Sequence, residues 1–325
     1  MANARISGLE DLPPSPALAV IINVHTELVS TLALASAITH AGMPVALVNC
    51  EPSPASTAHF DRLARRWDFA VLDAPVVGHH VALARVFRSV RSDLVLLLDS
   101  DAEIRAPELV PRLQAAFEHP RVFGSGFIHG PMWLDERSGV APGTCLYEER
   151  PWMHCTMLRV AHVREAFAAG VDFAPRTVCN DLMWSRKISK VLAGRFQNSY
   201  VPAFRILERL PEATRARMRA ARWPRLAWAR RDFHGHRPNY VVCDTGADLY
   251  QWCKQRRELV YAGLPVALRS EREVVHYGGV TRMHLWGGSG GFSTHVDRIE
   301  HEVADRLARC YGVDWQECRD AVGLD

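Results

Sequence analysis

Two carboxylates stand one residue apart at the end of an apolar run, in "LVLLLDSDAEI" (94–104). The run has the length and composition of a buried strand, and Asp99 and Asp101 follow its apolar core. Two like charges at a strand end repel each other, so the pattern predicts a cation between them. Mg²⁺ and Mn²⁺ prefer oxygen ligands and commonly join carboxylates to substrate phosphates. The plain alternative is a solvated aspartate turn that caps the next helix.

Three earlier apolar runs resemble the one before Asp99. They are "ALAVIINV" (17–24), "MPVALVN" (43–49) and "DFAVLDA" (68–74), and amphipathic helical patterns separate them. Strands that alternate with helices predict right-handed βαβ units and a parallel sheet, that is, an α/β fold. Ligands of such sheets bind at the carboxyl ends of the strands. We therefore expect a polar crescent beside the two aspartates, formed by Asn23, His25, Thr26, Asn49, Cys50, Glu51 and Asp73.

Composition limits the class of protein. The chain has 325 residues, 48% of them hydrophobic, and a formal net charge of +3, which by itself does not suggest nucleic acid. Its eight cysteines include no CxxC pair, so we expect reduced thiols. The sequence shows no signal-peptide pattern and no apolar stretch long enough to span a bilayer. These features predict a cytoplasmic protein.

The order of the motifs resembles the nucleotide-binding half of GT-A glycosyltransferases, closest to the family-2 group. The resemblance rests on "VIINVHTE", "ALVNCEPS", "AVLDAPVVGHHVALARVF" and "LVLLLDSDAEI". It covers residues 17–105 well and continues in patches to about residue 310. It implies one GT-A domain over 1–325: a nucleotide-sugar half (about 17–125), an acceptor half (about 126–292) with a basic insertion (205–240), and a helical tail (293–325).

The resemblance also implies roles for single residues. Asp101 would bind the metal, and Asp99 would lie near the metal or the ribose. The base and ribose of the donor would lie among His25, Thr26, Glu51 and Asp73. At the turn after the second strand "CEPS" replaces the family's acidic-Gly-Ser pattern, so Pro52 stands where the family has glycine.

The implied reaction is a sugar transfer from a UDP, GDP or dTDP sugar to a hydroxyl group. The acceptor would be a glycan, a lipid-linked molecule or a small molecule, and the transfer would invert the anomeric centre by direct displacement, with Mn²⁺ or Mg²⁺ as cofactor. One alternative is a sugar-phosphate nucleotidyltransferase, although "NVHTELVS" lacks the glycine-rich basic loop typical of that class. Another is a non-catalytic relative that only binds a nucleotide sugar.

An inverting transfer needs a carboxylate base well after the strand-end acids. Asp181 in "NDLMWSRKISKVLAGRFQNSYVP" and Asp244 in "VVCDTGADLYQWCKQRRELVYAGLPV" both fit the family's spacing, and Asp248 lies close behind Asp244. The segment of Asp244 runs directly into "REVVHYGGVTRMHLW", whereas Asp181 better matches the acid-to-arginine pattern through Arg186. Both candidates stay open, and for either one the alternative is a helix N-cap.

Histidines of the second half supply the last candidate ligands. In GT-A enzymes a late histidine can complete the metal site, which makes His276 the predicted ligand and His284 the reserve. His154 and Cys155 resemble residues that line the acceptor cleft. We expect no metal at these two residues, because the sequence shows no partner pair at metal-site spacing.

A basic segment, residues 213–237, stands out by its charge. It contains eight arginines, two tryptophans and one acid. One interpretation is contact with an anionic membrane surface, which would make the protein peripheral at the inner membrane face. Nucleic acid is a less favoured partner. The plain alternative is a solvated, arginine-rich excursion.

Overall fold

The structure is a computed structural model that describes residues 5–129, 132–133, 145–147, 149–179, 240–265, 272–277 and 293–323. Asp181, His284 and the basic segment 213–237 lie outside the described residues. Among the residues that are described, no helix is long and apolar enough to cross a membrane.

Thirteen strands are described, and seven of them form the central sheet. In chain order they are β1 (Ala17–Val24), β2 (Val45–Cys50), β3 (Ala70–Ala74), β4 (Leu94–Asp99), β5 (Ala102–Ile104), β6 (Val122–His129), β7 (Met132–Trp133), β8 (Cys145–Tyr147), β9 (Arg150–Arg159), β10 (Arg176–Cys179), β11 (Tyr240–Cys243), β12 (Val260–Pro265) and β13 (Val274–His276).

The central sheet has the order β12-β6-β9-β4-β1-β2-β3. The pairs β1–β2, β1–β4 and β2–β3 are parallel, so these four strands end at the same edge. Strand β9 is antiparallel to both of its neighbours, β4 and β6. Smaller sheets pair β10-β11-β8-β7 and β13-β5. The predicted α/β fold, with an acidic turn after the fourth strand, is confirmed.

Eight α-helices are described, and those between the first four strands fall where the sequence predicts them. They are α1 (Glu27–His40), α2 (Pro54–Ala64), α3 (His79–Ser89), α4 (Leu109–Ala115), α5 (Val160–Ala168), α6 (Ala247–Gln251), α7 (Ser293–Arg306) and α8 (Trp315–Val322).

Local chemistry explains how these helices begin and pack. Ser53 caps α2 by accepting a hydrogen bond from the Ser56 amide at 3.0 Å, and Pro54 occupies its first turn. Phe60 and Leu63 of α2 are buried, as their helical spacing predicts. Both faces of β1 are covered, because its residues contribute alternately to two apolar cores on opposite sides of the sheet.

A third apolar cluster holds the C-terminal helices against α1. Val303 of α7 and Leu307, which follows it, pack with Leu28, Val29 and Leu32 of α1. The closing amphipathic helix predicted from the sequence is thus present.

The antiparallel strand β9 is the part of the sheet that brings new residues to the site. Its pairing with β6 contains a bulge between Gly126 and Ile128, beyond which His129 lies opposite Arg150. Gly126 has φ +152°, and a β-carbon there would lie 2.8 Å from the Cys155 carbonyl oxygen. The bulge therefore depends on a residue without a side chain.

Candidate active site

The two strand-end aspartates lie where the sequence predicts them. Asp99 is the last residue of β4, and Asp101 directly precedes β5. Asp99 lies in register with Ile22 of the parallel strand β1, so it stands at the carboxyl edge of the sheet. Asp101 is buried and Asp99 is half-buried, with 25% of its side chain exposed.

Strand β13 brings His276 next to the aspartates. This strand pairs antiparallel with β5, with His276 opposite Ala102, and the Tyr277 amide donates to the Asp101 carbonyl oxygen at 2.8 Å. The Nε2 atom of His276 lies 3.1 Å from Oδ1 of Asp101. The late histidine and the second aspartate are therefore direct neighbours.

His154 of β9 is a third residue at this place. Because Cys155 pairs with Leu98 across the antiparallel β9–β4 ladder, His154 lies beside Asp99. Its Nδ1 atom is 2.5 Å from Oδ2 of Asp99. The His154 ring is stacked on that of His276, with centroids 3.4 Å apart and an interplanar angle of 16°.

The three residues offer a donor set that fits a divalent cation. Ligand atoms of Asp99, His154 and His276 lie within 4.8 Å of one another, and each residue is partly buried. Carboxylate oxygen and imidazole nitrogen are ligands that Mn²⁺ and related transition metals accept. The expectation that His154 stands apart from any metal site relied on spacing along the sequence, and that reason does not hold in the folded chain.

Electrostatics prepare this cluster for a cation. Burial opposes the charge on Asp99, but the hydrogen bond from His154 and the neighbouring His154, His79 and His276 hold the pKa of Asp99 well below its usual range. Burial lowers the pKa of His154, although the Asp99 carboxylate raises it. A neutral His154 donates its Nδ1–H to the ionised carboxylate, which leaves a lone pair on Nε2.

The ring of Trp152 packs against two imidazoles of this region. The Trp152 ring meets His154 edge to face at 4.6 Å, and it meets His129 in the same way at 5.4 Å. Burial, helped by the charge of Arg150, lowers the pKa of His129 to about 4. The neighbouring Cys155 is not a soft ligand, because burial raises the pKa of its thiol to about 12.

The ends of β1 and β2, where the sequence predicts the nucleoside, differ in character from the cluster around Asp99. His25 and Glu51 follow the neighbouring strands β1 and β2, and both adopt left-handed backbone, with φ of +53° and +52°. Residues other than glycine rarely adopt this conformation, and where they do it is worth asking about function. Both side chains are exposed, and Nε2 of His25 lies 3.8 Å from Oε2 of Glu51.

Half of the predicted crescent forms a buried polar network instead of an open surface. Asn23 donates to Asn49 at 2.8 Å across the β1–β2 pair. Its own Oδ1 accepts from the hydroxyls of Ser30 and Thr26, at 2.6 and 3.1 Å. Thr26 is buried in this network, so it stabilises the turn at the start of α1; a contact between Thr26 and the nucleotide stays a prediction.

Asp73 lies at the end of β3 and is exposed, with Arg5 as its ion-pair partner. Arg5 also donates to Asp61 at 2.9 Å. The predicted contact of Asp73 with the donor stays a prediction, and such a contact has to compete with Arg5.

Asp244 follows β11, and Asp248 lies in the first turn of α6. Oδ2 of Asp244 lies 3.3 Å from Nη2 of Arg150, and its Oδ1 accepts from the Thr245 amide at 2.8 Å. Arg150 lies opposite His129 in the β9–β6 strand pair, and His129 contacts Trp152. Asp244 therefore stands on the β9 side of the cluster of Asp99, His154 and His276. The role of Asp244 as base stays a prediction.

Sequence reasoning missed two site residues, His154 as a partner of Asp99 and the buried Glu103. The signal for His154 was present in the alternation of "RPWMHCTMLR", which places Trp152 and His154 on one face of a strand. Glu103 carried no comparable signal, because a glutamate after an acidic turn usually faces solvent.

Known structures match about half of this chain. No protein-family model and no curated protein sequence matches it. Solved structures do match. One is a mannosyltransferase, PcManGT, from Pyrobaculum calidifontis in complex with GDP-Man and Mn²⁺, at 11% identity and a TM-score of 0.37, with 46% of each chain covered. Another is S. aureus TarS 1-349 in complex with UDP-GlcNAc, at 13% identity and a TM-score of 0.36, with 47% of this chain and 48% of that one covered.

A third match is 4-diphosphocytidyl-2C-methyl-D-erythritol synthase from Anaerococcus prevotii. It has 9% identity and a TM-score of 0.36, and the match covers 47% of this chain and 75% of that one. The chain spans about half the length of the PcManGT and TarS structures. A likeness at this level carries no argument about the reaction, which has to be inferred from the side chains of this chain.

Proposed function

We propose that this chain is a metal-dependent glycosyltransferase that moves a sugar from a nucleotide-diphospho-sugar to a hydroxyl group, inverting the anomeric centre by direct displacement. The observation that carries the proposal is the cluster of Asp99, His154 and His276, whose ligand atoms lie within 4.8 Å of one another at the carboxyl edge of the parallel strands. Asp101 joins this cluster through its 3.1 Å contact with His276.

The residues that would hold Mn²⁺ or Mg²⁺ are Asp99, Asp101 and His276, with His154 beside them. A bound ion would neutralise the diphosphate and act as a Lewis acid as the nucleoside diphosphate departs. The chain contributes a carboxylate that stays ionised at neutral pH, because the pKa of Asp99 is held low. His154 keeps that carboxylate in a fixed orientation through its hydrogen bond.

The donor is a UDP, GDP or dTDP sugar in this proposal, with its nucleoside near His25 and Glu51. Two observations support this placement: the left-handed backbone of both residues and the exposure of both side chains at the ends of adjacent strands. A carboxylate such as Glu51 can accept hydrogen bonds from the ribose hydroxyls, and the imidazole of His25 can stack on or hydrogen-bond to the base.

The base of the reaction is Asp244 in this proposal, with Asp181 as the rival and Asp248 as a neighbour of Asp244. The acceptor hydroxyl loses its proton as it attacks, and a carboxylate positioned on the β9 side of the cluster can take that proton. Arg150 holds the Asp244 carboxylate in one orientation. The acceptor is a glycan, a lipid-linked molecule or a small molecule.

Metal and donor binding test the proposal directly. Calorimetric titration of the chain with Mn²⁺, and then with UDP, GDP and dTDP sugars in the presence of Mn²⁺, should show one preferred nucleotide. Asp101→Ala should weaken Mn²⁺ binding by about 100-fold or more, since a charged ligand is lost. Asp305→Asn on α7 is the matched control, because Asp305 is exposed and pairs with Arg309. Equal Mn²⁺ affinity in the Asp101→Ala variant and the parent would contradict the proposal.

Product analysis separates the three classes of function. A glycosyltransferase releases a nucleoside diphosphate from a nucleotide sugar and an acceptor. A nucleotidyltransferase releases pyrophosphate from a nucleoside triphosphate and a sugar phosphate. Binding of the nucleotide sugar without either product would identify a non-catalytic relative. Nuclear magnetic resonance of the product reports whether the anomeric centre is inverted.

A further inference from the structure

The carboxylate of Glu103 is fully buried, two residues beyond Asp101. A buried carboxylate is stable only when charged or strong donors surround it. Four side chains surround this one: Arg105 Nε at 2.8 Å, Tyr277 Oη at 2.9 Å, Tyr311 Oη at 3.1 Å and Arg306 Nε at 3.1 Å.

These donors come from parts of the chain that are far apart. Arg105 lies directly after β5, whereas Arg306 ends α7 and lies 203 residues beyond Glu103. Tyr277 directly follows His276. The carboxylate thus connects three elements: β5, β13 and α7.

Tyr277 is held at both of its ends. Its amide donates to the Asp101 carbonyl oxygen at 2.8 Å, and its hydroxyl donates to Glu103 while accepting from Arg105 at 3.0 Å. Within the part of the chain that the structure describes, β5 is the strand with which β13 pairs, and the pairing is three residues long. Glu103 therefore reinforces a short strand pair that fixes His276 against Asp101.

Helix α7 and the turn after it also contact Glu103. Arg306 and Tyr311 reach Glu103 because α7 and the turn after it pack on α1 through Val303 and Leu307. If α7 separates from α1, the carboxylate loses two of its four donors. The packing of α7 and the position of β13 are thus linked through one side chain.

We propose that Glu103, Tyr277, Arg306 and Tyr311 are positioning residues for the candidate metal site, which they maintain by holding His276 next to Asp101. The proposal rests on the proposed function, since it concerns the same cation site. None of the four residues supplies a ligand atom. Their loss should lower metal affinity while all ligands remain in place.

Two conservative variants test this without removing the buried charge. Tyr277→Phe and Tyr311→Phe each remove one hydroxyl and keep the ring. In the full chain, Mn²⁺ affinity from electron paramagnetic resonance of the free ion should fall about 10-fold for Tyr277→Phe and less for Tyr311→Phe, in the range of residues that orient metal ligands. Arg309→Gln on the same turn of helix is the control, because Arg309 pairs with the exposed Asp305; its Mn²⁺ affinity should equal that of the parent.

Amide hydrogen exchange without metal supplies a second measurement. Exchange at residues 274–277 should rise in both tyrosine variants, whereas β1 and β2 should exchange as in the parent. A purely structural role would lower the melting temperature yet leave the Mn²⁺ affinity of the folded variants unchanged, and that result overturns the proposal. Unchanged exchange at 274–277 overturns it too.

The two proposals fail in distinguishable ways. If the parent binds no Mn²⁺, the proposed function fails. Hydrogen exchange at residues 274–277 still decides whether α7 stabilises β13. If the parent binds Mn²⁺ and the tyrosine variants bind it equally well, only the positioning role is lost. Glu103→Gln extends the series: where it folds, its Mn²⁺ affinity should be lower than that of either tyrosine variant, and an affinity equal to that of the parent contradicts the proposal.

Discussion

Asp99, Asp101 and Glu103 occupy every second position of one short stretch of chain, but the two aspartates and the glutamate have different kinds of partner. The aspartates face the imidazoles of His154 and His276. Glu103 faces two guanidinium groups and two phenol hydroxyls. Burial opposes its charge, but the hydrogen bonds from these groups hold the pKa of Glu103 below its usual range.

The difference separates two uses of the same functional group. A guanidinium keeps its charge at every accessible pH and has no lone pair for a metal, so an acid paired with arginine serves the fold. An imidazole can be neutral, donate to a carboxylate and still offer a lone pair, so an acid paired with histidine can belong to a cation site. The partner, more than the acid, indicates the role.

Asp244 is an exception to the rule that an acid paired with arginine serves the fold, because it pairs with Arg150 and is nevertheless the proposed base. Asp244→Asn should lower turnover by about 10²- to 10⁴-fold, because general base catalysis is lost. Binding of the nucleotide sugar should stay as in the parent. Steady-state kinetics together with donor titration provide both quantities.

Asp181→Asn and Asp248→Asn test the rival candidates for the base in the same assay. If Asp181→Asn alone removes turnover, Asp244 joins Glu103 among the acids that arginine holds for the fold. If none of the three variants loses turnover, the base is another residue.

His59 provides the contrast of a buried histidine outside the candidate cation site. Thr31 donates to the Glu27 carbonyl oxygen at 2.6 Å, so the Nε2–H of His59 donates to Thr31 at 2.8 Å. Burial, helped by the charge of Arg62, lowers the pKa of His59 from 6.5 to about 4. The unfolded chain therefore takes up the proton first as the pH falls.

The free energy of unfolding should consequently decrease between pH 6.5 and about 4, with a contribution from His59 on the order of 3 kcal/mol. This contribution is fully present above pH 6.5. Urea unfolding at a series of pH values measures it. His59→Gln, which keeps a donor for Thr31, should lack this part of the slope, and an identical slope in both proteins would assign the acid sensitivity to other groups.

His154→Gln has the smallest expected effect of the variants discussed with this comparison, and it tests whether an acid paired with histidine belongs to a cation site. His154→Gln should weaken Mn²⁺ binding by about 10- to 100-fold, as expected for a residue that orients or completes a metal site. Calorimetric titration provides the affinity. His301→Gln, at an exposed position of α7, is the control. A His154→Gln variant that binds Mn²⁺ like the parent would place His154 among the packing residues.

The sequence predicts the first four strands and the acidic turn because their signals are local. Apolar runs such as Leu94–Leu98 and the capping of α2 by Ser53 act within a few residues of themselves. The position of β9 depends instead on pairing with two distant strands. The contact between His154 and Asp99, 55 residues apart, exists only once that pairing has formed. The alternation in "RPWMHCTMLR" places His154 on one face of its strand, but it does not show which residue that face contacts.

The same distinction applies to the acids. Asp99 and Asp101 could be selected because two charges after an apolar run are costly unless something compensates them. The free energy cost of burying the Glu103 carboxylate is offset in part by Arg306 and Tyr311. Both residues are remote in sequence, at the end of α7 and directly after it, and the sequence of α7 resembles an ordinary closing helix. His276 was predicted as a ligand, but its support by Tyr277 was not, because a tyrosine beside a histidine carries no sign of what its hydroxyl contacts.

The separation of Glu103 from Arg306 also matters while the chain is being made. A ribosome adds about 5–20 residues per second, so the 203 residues between them take roughly 10–40 s to synthesise. During that time the strands β1 to β4 have already been made, while Glu103 still lacks two donors and has to remain hydrated. Glu103 can therefore acquire its full set of donors only after Arg306 and Tyr311 have been made, so the candidate cation site is completed later than the strands β1 to β4.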